Sequence, residues 1–399
     1  MNILFLSLYE IANSNSGYIY ADLVREFVER GHNVYTVTPT RKEDTCAFTD
    51  DNGAHIIKVK NGQIQKTGKI KKVINLLSLE KHTIKAVKKF ANGVKFDLIV
   101  NMCSNLCYAK TSMYFKKRDG AIYYLLMKDI FPQNAVDIGM MKTSGIMGFV
   151  YRHFRKKEKK MYSSTDYIGC MSKANKDYIL SNNPQLNSER ITIVPNSIQS
   201  VDVALSDEDI KAMRDKYGIP QDKTVFVYGG NLGKPQDIPF IIECLKAQED
   251  NASAYFFIVG DGTEFNMLQN FVDTEKPNNV KLLQRLPRED FDGMLAACDV
   301  GMIFLDYRFT VPNFPSRLLS YMQAGLPVLA CTDANTDVGN IIVDNNFGWK
   351  CASNDVQDFT LTVKQAIAEA NDKKDNSKKL LNEEFSVAAC YETISRCFE

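Results

Sequence analysis

The feature that most constrains this chain is an alternation of short apolar runs with apolar residues at helical spacing. Residues 3–8 form an apolar run broken only by Ser7, as expected of a strand covered on both faces of a parallel sheet. Ile19, Leu23, Val24, Phe27 and Val28 then fall at helical spacing until Gly31, and residues 33–38 make the next strand. The same reading places strands at 55–59, 96–100, 121–127, 167–171 and 191–194, with helical patterns between most of them. A second series follows at 225–228, 254–259, 280–283, 300–304 and 328–331. Alternation of this kind builds open, mostly parallel, doubly wound sheets, so the expected class is α/β with two Rossmann-like domains in tandem.

Bulk properties remove several alternatives. At 399 residues the chain exceeds one ordinary hydrophobic core. A net charge of +1 gives no electrostatic case for nucleic acid. The ten cysteines are scattered without a C-x-x-C pair, the pattern of buried thiols in a reducing compartment rather than of disulfides or zinc. No basic region precedes the first apolar run, and no stretch approaches the roughly 20 apolar residues of a membrane span, so a cytoplasmic location is expected.

Three segments carry chemistry. In the first, Pro315-Ser316 opens an amphipathic run that begins with Arg317 and Leu318, Gly325 stops it, and Pro327 leads into a strand. A helix start there offers backbone N–H groups, a hydroxyl and a fixed cation to an anion. Read alone, an ordinary capped helix with a solvated Arg317 explains it better. In the second, the strand at 225–228 runs into Gly229-Gly230-Asn231-Leu232-Gly233-Lys234, where glycines admit a ligand to the backbone and Lys234 adds a point charge. That spacing fits neither the P-loop nor the dinucleotide fingerprint. The third is Gly260-Asp261-Gly262, closing the strand at 254–259. All three belong to the carboxyl edge of one sheet, where open α/β sheets bind ligands. Asp207 and Asp209 spell Asp-x-Asp, but after Ser206 they read as the acidic first turn of a helix, and no metal is expected.

These blocks, with residues 299–305, resemble in order and spacing the nucleotide-sugar-binding domain of retaining glycosyltransferases of the GT-B fold, family 4. Gly17, the Arg30-Gly31-His32-Asn33-Val34 turn and Val194-Pro195-Asn196 extend the resemblance over nearly the whole chain. It implies an N-terminal acceptor-binding domain (1–198), a C-terminal nucleotide-sugar domain (199–380) and a last helix (381–399) packing back on the first, with the two sheets facing a central cleft. It implies a UDP-type nucleotide-diphosphate-sugar donor, with hexosyl or N-acetylhexosaminyl transfer and no other cofactor. Lys234 and Arg317 would stabilise the departing diphosphate. Gly17, Gly230, Asn231, Gly260, Asp261, Phe314, Pro315, Ser316 and Leu318 would surround it, with Gln284, Arg285 and Leu286 at the nucleobase. Many members have a glutamate where Ser320 stands, holding the donor ribose, and serine offers a shorter reach and no charge. The Asn313-Phe314-Pro315-Ser316-Arg317 variant resembles a subgroup of bacterial surface-polysaccharide (capsule-type) assembly.

In the first domain, Asp129 precedes Phe131-Pro132 and is a candidate to position or deprotonate the acceptor hydroxyl, with helix capping as the alternative. The stretch from position 66 to 89, with Lys66 and Lys89 at its ends, holds eight lysines and one acid, Glu80. A second basic run lies between Arg152 and Lys160. Both suit an anionic membrane surface presenting a lipid-linked glycan acceptor, unless their apolar stripes pack on the sheet. The expected protein is thus a glycosyltransferase, peripheral at the inner face of the cell membrane. Its rivals are an epimerase or phosphorylase of the same fold, or a non-catalytic sugar-nucleotide-binding subunit.

Overall fold

The structure, a computed structural model, describes residues 1–399 except 15–18, 42, 62–68, 103–105, 202–204 and 399. The side chains of residues 19, 69–74, 76, 77, 288 and 289 also lie outside the description. Gly17 and Lys66 therefore fall outside the described residues. The chain forms two compact units, Met1–Gln199 with Phe385–Glu399, and Ser200–Glu384.

Among the described residues the first unit has eight strands: β1 (Asn2–Leu6), β2 (Asn33–Thr40), β3 (Cys46–Thr49), β4 (His55–Lys60), β5 (Leu98–Asn101), β6 (Ile122–Leu126), β7 (Tyr167–Cys170) and β8 (Ile191–Ile193). Their order is β3-β4-β2-β1-β5-β6-β7-β8, and only β3 is antiparallel to its neighbour. The central strands are largely apolar because helices cover both faces; Ile3, Leu4, Phe5 and Leu6 are fully buried. Helix Lys69–Phe90 settles one alternative. Leu79, Ala86 and Val87 pack under the sheet with Ile57 and Val59, so this half of its apolar stripe is core, while Lys81, Lys85, Lys88 and Lys89 stay exposed. The last helix, Val387–Ser395, belongs to this unit. Tyr391 packs edge-on against Phe27 at 4.8 Å and its hydroxyl meets His32 at 2.8 Å.

The second unit has six parallel strands among the described residues: β9 (Thr224–Asn231), β10 (Ala254–Asp261), β11 (Val280–Leu283), β12 (Val300–Phe304), β13 (Val328–Thr332) and β14 (Gly348–Ala352), in the order β11-β10-β9-β12-β13-β14. From β9 the chain winds outward to β11, then returns to the other side of β9 to begin β12. The carboxyl ends of β9 and β12 thus flank the point where winding reverses, the usual ligand crevice of such sheets. Helix Asp207–Tyr217 starts with a capping box in which Ser206 and Asp209, the second acid of the Asp-x-Asp pair, bond each other. No helix among the described residues is long and apolar enough to cross a membrane. All nine described cysteines are unpaired, and seven are buried.

Candidate active site

Arg317 is the first residue of helix Arg317–Gln323, and the side chain one turn later holds it in place. Tyr321 is completely buried; its hydroxyl accepts from Gly229 N at 3.0 Å and lies 3.0 Å from Met302 O and 3.3 Å from Val227 O. These bonds pin the helix to both strands flanking the crevice. Gly301 admits the ring, since a Cβ there would lie 2.6 Å from it. Spacing of i and i+4 then projects Arg317 over the same strands. Its guanidinium sits 4.1 Å from the Tyr228 ring centroid. Burial pushes the Tyr228 hydroxyl up, against the pull of Arg317, and that hydroxyl donates to Asn231 O at 2.6 Å.

The other side of the guanidinium faces backbone. A Cβ on Gly230 would lie 3.4 Å from Arg317 Cζ, and Gly230 has φ 133°, a conformation that favours glycine. Arg317 Nη1 is buried and lacks a hydrogen-bond partner among the described residues. A buried cationic donor left unpaired is costly, and an anionic oxygen beside Gly230 would satisfy it.

Around this cation the expected residues divide. Lys234 is exposed and opens the turn Lys234–Gln236. That turn is braced from two sides: Gln236 Oε1 accepts from Asn231 Nδ2 at 2.9 Å and Gly233 N at 3.1 Å, and Asp306 N donates to Pro235 O at 3.0 Å. Asn231 thus spends its amide on the loop. Gly260 serves sheet packing, since a Cβ there would lie 2.0 Å from Gly230 O. Asp261 is exposed at the end of β10, and Gln284, Arg285 and Leu286 form the open segment after β11, two strands from β9. Phe314 and Pro315 are half-buried, held by Thr336 Oγ1 donating to Asn313 O at 2.6 Å.

One expectation, Leu318, needs correction. Leu318 is fully buried and its N–H bonds Pro315 O at 3.2 Å, so neither faces a ligand. Ser316 makes no side-chain cap, the helix is only seven residues long, and Leu319 N is also engaged, by Ser316 O. A two-turn helix has little dipole, so an anion at this helix start would depend mainly on Arg317. Ser320, half-buried, lies one turn from the exposed Ser316 on the same face.

In the first unit Asp129 is exposed just past β6, and helix Gln133–Asp137 is capped at Pro132 without a side-chain bond. Beside it Lys128 donates to Val194 O at 3.3 Å and Pro195 O at 3.2 Å, and burial pulls its ammonium down to about 8. Sequence reasoning passed over Lys128, Tyr321 and the fully buried Asp306, which pairs with Arg308. Only the strand glycine at 301 hinted at Tyr321.

Two sheets of this topology, with a cation over the switch point of the second, define the two-domain GT-B architecture of glycosyltransferases. The chain is similar over 100% of its length to 99% of Anabaena HepE, solved in complex with UDP-glucose, with a TM-score of 0.70 at 15% identity, which speaks to fold. Residues 209–380, within the second unit, match the glycosyl transferases group 1 family. A probable glycosyltransferase, WbjE of Pseudomonas aeruginosa, is 26% identical over 68% of this chain and 66% of its own. An Escherichia coli UDP-Gal:alpha-D-GlcNAc-diphosphoundecaprenol alpha-1,3-galactosyltransferase is 27% identical over 43% of each chain. The match thus spans two thirds or less of these relatives' length.

Proposed function

We propose that the chain is a glycosyltransferase of bacterial polysaccharide assembly, moving a hexosyl or N-acetylhexosaminyl group from a UDP-type donor to a hydroxyl of a lipid-linked glycan. The observation that carries this reading is the unpartnered, buried Arg317 Nη1 beside Gly230 at the switch point. It calls for a diphosphate there, and Lys234 four residues on supplies a second cation. Two preset cations stabilise charge that grows as the anomeric C–O bond breaks, which is how such a site accelerates transfer. We favour retention: the acceptor oxygen attacks from the face the diphosphate leaves, the bond electrons go to the diphosphate, and a diphosphate oxygen takes the acceptor proton. Asp129 positions the acceptor. The galactosyltransferase relative, named for a diphosphoundecaprenol-linked acceptor, supports the lipid-linked part.

The test is calorimetry with UDP, GDP and their sugars, then turnover in membrane extracts with the tightest donor. UDP binding with transfer is expected. Rapid epimerisation of the donor without acceptor would sink the transferase reading, and binding without turnover on any acceptor would favour a binding subunit. An anionic membrane fits helix Gly145–Ser164, where Ile146 and Phe149 are 85% and 70% exposed beside Arg152, Lys156 and Lys160.

A further inference from the structure

The first unit contains a second concentration of positive charge at the carboxyl ends of β2 and β4. There the strand ends and one face of helix Lys69–Phe90 enclose an open basin of about 710 Å³. Arg41 follows β2, Lys60 ends β4, and His82, Lys85 and Lys89 come from the helix. Ser78 and these three recur at i, i+4, i+7 and i+11, a single face, while Leu79, Thr83 and Val87 on the other face are buried. The apolar contact with the sheet therefore fixes which face of the helix meets the basin.

Among the described residues no carboxylate lines the basin. Lys60 is neutralised by Asp44, 2.5 Å away. Arg41, Lys85 and Lys89 have no ion-pair partner among the described residues. Three like charges around one concavity repel one another and gain from an anion between them. The floor is neutral: Asn61, 8% exposed, donates to Asn75 O at 3.0 Å and accepts from Ser78 Oγ at 3.1 Å. Cations spaced around a volume this large suit a group with many oxygens and an attached sugar better than a lone carboxylate.

We propose that this basin binds the phosphoryl groups of a phosphate-linked saccharide, the diphosphate of the acceptor. The assignment rests on the acceptor reading above and deepens it, giving the acceptor an anchor of its own on the first unit.

The experiment uses the full chain and three probes: inorganic pyrophosphate, a short-chain prenyl-diphospho-N-acetylhexosamine, and vesicles of phosphatidylglycerol. Wild type, the triple variant Arg41→Ala/Lys85→Ala/Lys89→Ala and Arg317→Ala are compared by calorimetry at low salt. Prenyl-diphosphosaccharide affinity is expected to fall at least tenfold in the triple variant and to be unchanged in Arg317→Ala. UDP affinity should behave in the opposite way, so failure of the donor reading shows separately. Circular dichroism and the retained UDP binding of the triple variant show that it is folded. Equal saccharide affinity in wild type and triple variant overturns the proposal. Pyrophosphate binding as tightly as the saccharide overturns the acceptor assignment in favour of a free anion. Vesicle binding that depends on these three residues, with no saccharide binding, overturns it in favour of a membrane.

Discussion

Replacing Arg317 by alanine separates a diphosphate clamp from a solvated surface arginine. The folded state loses a cation–π contact, about 0.5–2 kcal/mol. It also sheds a buried donor without a partner, which costs about 1–3 kcal/mol to keep. These effects oppose each other, so stability should change by only about 1 kcal/mol, roughly 2–4 °C for a unit of this size. Function has no such offset. Loss of one preset charge donor to a developing oxyanion lowers the rate by about 100-fold or more, near 2.7 kcal/mol.

Donor turnover, read as UDP release with acceptor present, measures the rate; calorimetry with UDP and with uridine locates the loss. UDP should bind at least tenfold more weakly to Arg317→Ala, while uridine, which lacks the diphosphate, should bind unchanged. Arg317→Lys should recover only part of the effect, because an ammonium cannot both stack on Tyr228 and present a donor beside Gly230. Near-normal turnover in a folded Arg317→Ala protein would refute the reasoning, and so would an equal loss for UDP and uridine.

Tyr321→Phe removes the acceptor for Gly229 N in a dry site, so urea unfolding should show a loss of about 1–3 kcal/mol, with UDP weakened but uridine unaffected as Arg317 loses its brace. Lys128 titrates near 8 when folded against 10.5 when unfolded. The unfolded chain therefore binds more protons at this group between those values, and the Lys128 contribution to stability, read as wild type minus Lys128→Met, rises with pH across that window by up to about 3 kcal/mol. A difference that stays flat with pH would contradict the burial argument. Ile146→Asp/Phe149→Asp should abolish cosedimentation with anionic vesicles and leave UDP binding intact, and retention of vesicle binding would remove this helix from the membrane reading.

Strands buried on both faces announce themselves, which is why β1, β9, β10 and β12 were legible. The missed strands carried weaker patterns. β3 is a four-residue edge strand with Ala47, Phe48 and Thr49 exposed, so it has no apolar run, and Lys350 and Ala352 point outward from the edge strand β14. At the site, Lys234 and Arg317 could be nominated because charge beside glycine is a local signal. What the glycines do was not local. Gly229 gives way to Phe291, Gly260 to the neighbouring strand's carbonyl and Gly301 to Tyr321, so only Gly230 among them faces the cation. Leu318 stood inside the motif yet belongs to the core, because adjacent helix positions point about 100° apart.

Ser320 permits a gain-of-function test of the same geometry. It lies one turn beyond Ser316 on the face away from buried Leu319 and Met322, so a longer side chain there need not disturb the core. If that face meets the ribose, Ser320→Glu exchanges a neutral hydrogen bond for a charge-assisted one, a gain of about 1 kcal/mol or roughly fivefold in UDP affinity. The gain must depend on the sugar hydroxyls: 2′,3′-dideoxy-UDP should bind the variant no better than wild type, and somewhat worse if the new carboxylate repels the diphosphate. Tighter binding of both nucleotides would place the glutamate elsewhere. Weaker binding of both would show that the crevice holds its diphosphate where the carboxylate arrives, and that serine at 320 accommodates it.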